Sequence, residues 1–322
     1  MIVDLPDTTT SKVGKTLVKI REEGGAVALG RVLTLVISCR LGEEEEAIEA
    51  ANQASREHPM RVIVTSVAPA EAEARLDAQI RVGGDAGASE VIVLRAYGET
   101  SSDEEGLVTS LLLPDAPVVV WWPHNAPEVP SESDLGRIAQ RRITDSATAA
   151  KPTQAIERSA PGYRPGDTDF AWTRLTLWRA QLAAVLDQPP YEPVTAVEVT
   201  GAADSPSTEL LAAWLRLELR APVVLELAGP GHGSSGIHSV VLHRRSGPIE
   251  LKRITATVAT LEQPNQPAHD IALPRRSLRD CLAEELRRLD PDDLYGEVVQ
   301  KGLAQLNSVP TTARSTKESV PS

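Results

Sequence analysis

The sequence predicts an α/β protein made of two α/β units, each with a mixed sheet flanked by helices. Three observations support this class. Apolar runs such as 31–39 (RVLTLVISC) are typical of buried strands, and segments such as 205–219 have helical spacing. Residues 145–168, rich in Ala, Pro, Gly and Ser, form a break in composition between two such halves. Near-continuous apolar strands indicate a sheet covered on both faces.

In the first half, a helix over 11–23 is predicted to end at Gly24-Gly25, and a helix over 42–58 to stop near Pro59. The segment GGDAG at 83–87 predicts a hairpin, which adds an antiparallel part to the sheet. The remaining elements are strands over 31–39, 61–67, 74–82, 89–98 and 116–123, and a helix around 103–113.

The second half is predicted to open with an aromatic-rich helix over 167–187. The elements that follow are strands over 194–201 and 222–229, a helix over 205–219, antiparallel strands within 237–245, 248–259 and 268–273, and helices over 277–289 and 291–306. The expected organisation is an N-terminal domain (1–145), a connection (146–168), a C-terminal domain (169–306) and a disordered polar tail (307–322).

Composition excludes several classes of function. The 322 residues carry a formal net charge of −12 with no strong cluster of basic residues, which argues against binding to nucleic acid or to an anionic membrane. No apolar run is long enough to span a bilayer, and the N-terminus lacks the pattern of a signal peptide. The only cysteines, Cys39 and Cys281, are expected to be reduced core residues. We therefore expect a soluble, cytoplasmic protein.

Two glycine motifs suggest phosphate binding without completing its pattern. GKT at 14–16 lacks the first glycine of a phosphate-binding loop, because Thr9 occupies that position. GPGHGSSG at 229–236 matches G-x-G-x-x-G after a strand, but the alternating segment that follows predicts a strand rather than the required helix. A sugar-phosphate or nucleotide site in this loop, with His124 beyond a strand end, remains the alternative function.

No grouping of catalytic residues or metal ligands can be assigned. His238 and His243 lie five residues apart on one predicted strand and so point to opposite faces, and no zinc-type spacing occurs. The acidic run at 43–46 fits the first turn of a helix, where carboxylates favour the helix dipole. The sequence therefore predicts neither an enzyme nor a bound cofactor or metal.

The segment 167–187 (DTDFAWTRLTLWRAQLAAVLD) concentrates two of the five tryptophans and the only phenylalanine. Asp167 or Asp169 is expected to cap a helix whose apolar face packs inward. Tryptophan and arginine also dominate the energetics of protein interfaces, so the same segment is a candidate partner surface. The candidate partner-binding residues come from this segment and from the block after the strand over 116–123: Trp121, Trp122, Pro123, His124, Trp172, Arg174, Trp178 and Arg179.

Four blocks carry a resemblance to a known family. They are MIVDLPDTTTSKVGKTLVKIREEGGAVALGRVLTLVISC, LLLPDAPVVVWWP, DTDFAWTRLTLWRAQLAA and LRDCLAEELRRLDPDDLYGEVV. In this order they resemble OpcA, the glucose-6-phosphate dehydrogenase assembly proteins of actinobacteria and cyanobacteria, and the actinobacterial form most closely.

The resemblance implies a non-catalytic partner of glucose-6-phosphate dehydrogenase in the oxidative pentose phosphate pathway, which supplies NADPH. Such a protein would act as an assembly factor and allosteric activator that favours the active oligomer of the enzyme. NADP would belong to the dehydrogenase. Cyanobacterial relatives are associated with redox control through cysteines, which is not expected here because Cys39 and Cys281 fall in core segments.

Overall fold

The computed structural model describes residues 1–23, 31–68, 72–83, 90–228 and 236–307. Contacts divide the chain into two units, each assembled from separate segments. The first contains Met1–Ala149, Gly162–Phe170 and Arg276–Asp292, and the second contains Ala150–Pro161, Ala171–Arg275 and the chain from Asp293 onward. The predicted turn at 83–87, apart from Gly83, and the predicted tail from 308 lie outside the described residues.

The strands of the first unit are β1 (Ile2–Leu5), β2 (Leu33–Arg40), β3 (Met60–Val67), β4 (Arg75–Val82), β5 (Glu90–Tyr97), β6 (Val118–Trp122), β7 (Arg141–Thr144) and β8 (Asp167–Asp169). Those of the second are β9 (Ala196–Ala202), β10 (Val223–Ala228), β11 (Ile237–His243), β12 (Ile249–Arg253), β13 (Val258–Glu262) and β14 (His269–Ala272).

The described α-helices are α1 (Thr10–Glu23), α2 (Glu44–Ala54), α3 (Glu104–Thr109), α4 (Asp134–Ile138), α5 (Pro152–Ser159), α6 (Phe170–Thr173), α7 (Thr176–Leu186), α8 (Pro206–Leu219), α9 (Leu278–Arg287), α10 (Asp293–Glu297) and α11 (Leu303–Asn307). A π-helical turn, Val298–Gly302, joins α10 to α11, so the predicted helix over 291–306 is a single helical run with a wider turn inside it.

The first sheet is mixed and has the order β1-β4-β5-β3-β2-β6-β7-β8 within the described chain. From β5 to β8 neighbouring strands are parallel, while β4 pairs antiparallel with both β1 and β5. Counted along the chain, the six parallel strands have the order 3-2-1-4-5-6 of a doubly wound α/β fold. Successive strands are therefore added on one side of β2 up to β5 and on its other side from β6 onward, so the strand order reverses between β2 and β6.

Both faces of the first sheet are covered, as the apolar strands predict. One core packs the sheet against α2 and α9, and the other packs it against α1, α3 and α4. Trp121 and Trp122 point to opposite faces of β6 and are both buried, Trp121 in the first core and Trp122 in the second. The sequence places α9 near the C-terminus, but its apolar face belongs to the first unit because Cys281, Leu282 and Leu286 complete that core.

The second sheet has the order β10-β9-β11-β12-β13-β14. Only β9 and β10 are parallel, and the other pairs are antiparallel. Helix α8 packs on β9 and β10, where Gly201 permits a close approach: a Cβ at this position would lie 2.4 Å from Thr208 Oγ1. The predicted strand within 248–259 is two strands, β12 and β13, separated by a turn.

Several short elements were not predicted from the sequence. Strands β7 and β8 have four and three residues and contain charged side chains, so they lack the apolar run of a buried strand. They are nevertheless buried because the Arg142 guanidinium pairs with the Asp167 carboxylate across the two strands. Helix α5 lies in the segment expected to be a connection; it has eight residues and buries only Ile156.

Candidate functional site

In a doubly wound sheet, ligands bind beyond the carboxyl ends of the parallel strands, where the strand order reverses. In this chain that place is bounded by the ends of β2 and β6. The turn after β2 leads directly into α2, whose N-terminal amides would hold a phosphate in a dinucleotide-binding protein. The groups around this turn therefore decide what the edge of the sheet can bind.

A carboxylate of the chain itself occupies the N-terminus of α2. Glu44 is 4% exposed, and its carboxylate accepts hydrogen bonds from the Gly42 amide at 2.8 Å and from Ser66 Oγ at 2.6 Å. Arg95 Nε lies 3.3 Å from the same carboxylate. Burial acts most strongly on the Glu44 pKa and raises it, but the Ser66, backbone and Arg95 interactions together lower the pKa below its ordinary value. The group is therefore an anion held beside the N-terminus of α2, against the ends of β3 and β5.

The next position along the edge is also filled by a carboxylate. Glu104, at the start of α3, accepts hydrogen bonds from Ser38 Oγ on β2 at 2.9 Å and from Thr65 Oγ1 on β3 at 2.7 Å. Together with Ser66, which donates to Glu44, these are the hydroxyls that the ends of β2 and β3 could offer to a ligand. Because the hydroxyls of Ser38 and Thr65 both donate to Glu104, a carboxylate of the chain itself lies over the ends of β2 and β3.

A third carboxylate closes the edge near β6 to β8. Asp169 on β8 accepts hydrogen bonds from Thr144 Oγ1 at 2.7 Å and from both the amide and the hydroxyl of Ser146 at 2.9 Å. At the end of β6, Thr148 Oγ1 donates to the Pro123 carbonyl at 2.8 Å. His124 follows as a half-buried residue. The edge thus presents acceptors that are already satisfied, and its charge opposes an anionic ligand.

Sequence reasoning missed Glu44 as a residue of interest. The acidic run at 43–46 predicts only a favourable interaction with the helix dipole, which describes Glu43, Glu45 and Glu46 at the surface. One signal for Glu44 exists in the sequence: a buried strand that ends in LGEEEE has an acidic residue where a phosphate-binding turn has glycine. Burial and hydrogen bonding of Glu44 cannot be inferred without the position of Ser66 on β3.

The tryptophans predicted from the sequence to bind a partner are buried within their own units. Trp121 packs against Phe170 with ring centroids 5.5 Å apart, and Trp122 lies on the opposite face of β6. In the second unit, Trp172 packs against Tyr295 at 5.8 Å and Trp178 is 3% exposed. Each ring therefore packs in the core of its own unit, and contact between these rings and a partner stays a prediction.

Arg174 and Arg179, the two predicted arginines, lie in different surroundings. The Arg179 guanidinium lies 3.8 Å from the Trp172 ring centroid, which is a cation–π contact within the second unit. A second such contact joins Arg253 on β12 to the Trp178 ring at 5.4 Å. Arg174 lies in the turn between α6 and α7, and like Arg179 it is half-buried. Among the eight predicted residues, His124, Arg174 and Arg179 retain the most exposure, since Pro123 is buried as well.

The predicted continuous helix over 167–187 is interrupted, and its predicted cap is wrong. Asp167 and Asp169 lie on β8 rather than at a helix N-terminus, because each carboxylate has a stronger partner in the neighbouring strand and loop. Helix α7 then begins at Thr176, after the turn at 174–175. Its predicted apolar face is correct at Trp178, Leu182 and Val185, which are buried.

The cysteines and histidines do not form a reactive group within the described residues. Cys39 and Cys281 are both buried and are not joined in a disulfide, and burial together with Glu44, Glu43 and Glu104 raises the pKa of Cys39 to about 12. A thiol of this kind is a poor nucleophile at neutral pH. His243 Nε2 lies 2.9 Å from Glu198 Oε1 on β9.

Two other kinds of feature are absent from the described part of the chain. None of its helices combines the length and apolar character needed to cross a membrane. No group of three His, Cys, Asp or Glu side chains is placed so that it could hold a metal ion, again for the described residues. The predicted glycine loop at 229–236 lies outside the described residues except for Gly236.

Comparison with protein families identifies both halves of the chain. Residues 51–161 match the family model of the N-terminal domain of the glucose-6-phosphate dehydrogenase subunit, of the OpcA assembly family. Residues 165–299 match the model of the C-terminal domain of the same glucose-6-phosphate dehydrogenase subunit, again of the OpcA type. No curated protein matches the sequence significantly.

The solved structures that this chain resembles are distant from it in sequence. Glucose-6-phosphate 1-dehydrogenase from Mycobacterium avium has 10% identity and a TM-score of 0.46, covering 87% of this chain and 93% of its own. A glucose-6-phosphate dehydrogenase bound to glucose 6-phosphate has 10% identity and a TM-score of 0.45, with coverages of 88% and 92%. An oxidoreductase from Bacillus subtilis has 8% identity and a TM-score of 0.43, with coverages of 85% and 97%. These values carry no conclusion about activity.

Proposed function

Because the chain belongs to the OpcA family of glucose-6-phosphate dehydrogenase assembly proteins, we propose that it is a non-catalytic partner of this dehydrogenase. It binds the enzyme, favours the active oligomer and acts as an allosteric activator. The observation that carries the proposal is the pair of family models, which follow one another over most of the chain.

The geometry of the first sheet supports a non-catalytic role. Glu44, Glu104 and Asp169 lie along the edge at which a doubly wound enzyme holds its substrate or cofactor, on either side of the crevice between β2 and β6, and make that edge acidic. A dinucleotide pyrophosphate placed at the start of α2 would have to displace the buried Glu44 carboxylate or lie against it. In this proposal NADP therefore binds the dehydrogenase and not its partner.

Activation requires only that this protein bind the active state of the enzyme more tightly than the inactive state. A tenfold shift of that equilibrium requires about 1.4 kcal/mol of differential binding. A few desolvated side chains in an interface provide this amount. No chemical group of this chain has to enter the active site of the dehydrogenase.

Of the residues predicted from the sequence, we propose His124, Arg174 and Arg179 as the ones that contact the partner directly. Their half-buried side chains can reach a bound surface without unfolding the chain. Trp121, Trp122, Pro123, Trp172 and Trp178 act by holding these residues in place, since they are buried.

The test is a titration of this protein into the dehydrogenase of the same organism, with the initial rate of glucose 6-phosphate oxidation measured at several substrate concentrations. We expect a saturable fall in the apparent KM or a saturable rise in kcat, and a larger oligomer by size-exclusion chromatography. A complex with unchanged kinetics would identify a purely structural subunit. The proposal fails if no complex forms and no rate changes at any ratio of the two folded proteins.

A further inference from the structure

The second sheet has one face that is covered and one that is open. Side chains alternate between the two faces, and the buried ones face the side on which α8 packs: Val197, Val199, Val223, Val240, Leu242, Ile249, Leu251, Ala259 and Leu261. The alternate positions are half-exposed or exposed, except for Ala202 at the end of β9, which is buried. We call these alternate positions of β9 to β13 the open face.

The strand register places one row of side chains across the open face. From β10 to β13 the row reads Val224, Glu198, Val241, Glu250 and Glu262. Val224 is 41% exposed, and the Glu198 side chain is 45% exposed. The row is therefore an accessible strip in which valines alternate with carboxylates.

The neighbouring row is polar. It contains, from β10 to β13, Glu226, Thr200, Ser239, Lys252 and Thr260, and continues to Asp270 on β14. Thr260 Oγ1 donates to the Asp270 carboxylate at 2.8 Å. Lys252 is the one lysine that the described register places on these two rows. Carboxylates thus outnumber cations on the open face.

Two carboxylates of the first row oppose each other directly. Glu250 on β12 pairs in register with Glu262 on β13, and such cross-strand neighbours have Cβ atoms about 5 Å apart. Like charges in this position destabilise a sheet, so the free chain retains an unfavourable interaction that a cation between the two strands would relieve. Glu198, further along the row, lies 2.9 Å from His243 Nε2 instead.

The charge determines which partner fits. A second copy of this chain, placed face to face, would bring the same glutamates against each other, so self-association through this face is disfavoured. Five strands spaced about 4.8 Å apart, with lengths of about 20 Å, make a surface of roughly 500 Å². This is a large part of the roughly 800 Å² that each partner contributes to an interface of standard size.

We infer that the open face of the second sheet is a surface that binds the dehydrogenase, in addition to the contacts proposed for His124, Arg174 and Arg179, through lysine and arginine side chains of the enzyme that lie between Glu198, Glu250 and Glu262. This inference rests on the proposed function, because it names the surface by which that function is carried out. Val224 and Val241 supply the apolar contacts between the charged ones. Rows of charge also make encounter with the partner fast and dependent on salt.

The test compares two triple variants of the full chain that remove the same charge. The open-face variant is Glu198→Gln, Glu250→Gln and Glu262→Gln. The control variant is Glu157→Gln, Glu218→Gln and Glu297→Gln, which neutralises exposed carboxylates on helices of the same unit. Kd for the dehydrogenase is measured by calorimetry at low and at high NaCl concentration, and thermal unfolding is recorded for every variant.

We expect the open-face variant to bind about tenfold more weakly at low salt and to lose most of the salt dependence, while the control binds as tightly as the wild type. A second variant, Val241→Lys, places a cation between Glu198 and Glu250 and should weaken binding to a similar extent. This variant remains informative if the triple variant unfolds.

The outcomes separate the two proposals. If the wild type neither binds nor activates the dehydrogenase, the proposed function fails, and this inference fails with it. If the wild type binds and the folded open-face variants keep its affinity, the inference is overturned while the proposed function stands. Equal weakening by the open-face and control variants would also overturn it, because the effect would then come from net charge and not from this surface.

Discussion

The buried Glu44 carboxylate offers the sharpest test of the interpretation of the first unit. We predict that Glu44→Gln lowers the free energy of unfolding by about 3 kcal/mol at pH 7. The variant loses a charge-assisted bond to Arg95, which contributes about 1.5–3 kcal/mol, and a helix-dipole interaction of about 0.3–1 kcal/mol. It also places an amide donor near the Gly42 amide and the Ser66 hydroxyl, which both donate to Glu44 in the wild type.

The effect of Glu44→Gln should depend on pH in a definite direction. The pKa of Glu44 in the folded chain lies below its ordinary value of 4.5, so the folded state binds fewer protons than the unfolded state as the pH falls through this range. The stability from the carboxylate is therefore complete above the unfolded pKa and is lost as the pH falls through the folded pKa. The difference between variant and wild type should be full at pH 7 and should shrink in acid.

The assay is urea unfolding followed by circular dichroism, with hydrogen exchange to show whether the amides of α2 lose protection. Glu46→Gln is the matched control, since this exposed residue lies in the same helical turn and should change stability by less than about 1 kcal/mol. Equal stability of the two variants would refute the reasoning, because Glu44 would then behave as an ordinary surface carboxylate and not as a buried anion held by Ser66 and Arg95.

Three further predictions concern other parts of the chain. Burial and, less strongly, Glu157 raise the pKa of Glu209 to about 7, so the folded chain loses stability as the pH rises from about 4.5 to 7. The variant Glu209→Gln should therefore be more stable than the wild type by about 2 kcal/mol at pH 8 and should hardly differ from it at pH 4. Thermal unfolding at both pH values measures the difference. Trp121→Ala should lower the free energy of unfolding in urea by about 3–5 kcal/mol, because the ring is fully buried. Any loss of partner binding should follow from the loss of the fold. A folded variant of normal stability with impaired binding would contradict this prediction. Gly201→Ala should destabilise the second unit by about 1–3 kcal/mol in the same assay, because the new Cβ would meet the Thr208 side chain; unchanged stability would show that α8 can move away at no cost.

Local patterns along the chain were sufficient for the long elements. The spacing of apolar residues predicted α1, α8 and α9 and the buried strands β2, β3 and β5 to within a few residues, because each of these elements has a pattern that its own sequence carries. The apolar strands also predicted a sheet covered on both faces. Trp121 and Trp122 are both buried in it, although the sequence also suggested them as candidate partner-binding residues.

The sequence by itself therefore determined the α/β class, the long elements and the family, through residues whose roles depend on near neighbours in the chain. Only the tertiary structure decided the strand order, the placement of α9 in the first unit, the partners of Glu44 and the rows of the open face. The physical reason is distance along the chain. Glu44 depends on Ser66 and Arg95, and Glu250 faces Glu262 only because β12 and β13 pair in one particular register. No local periodicity encodes such contacts.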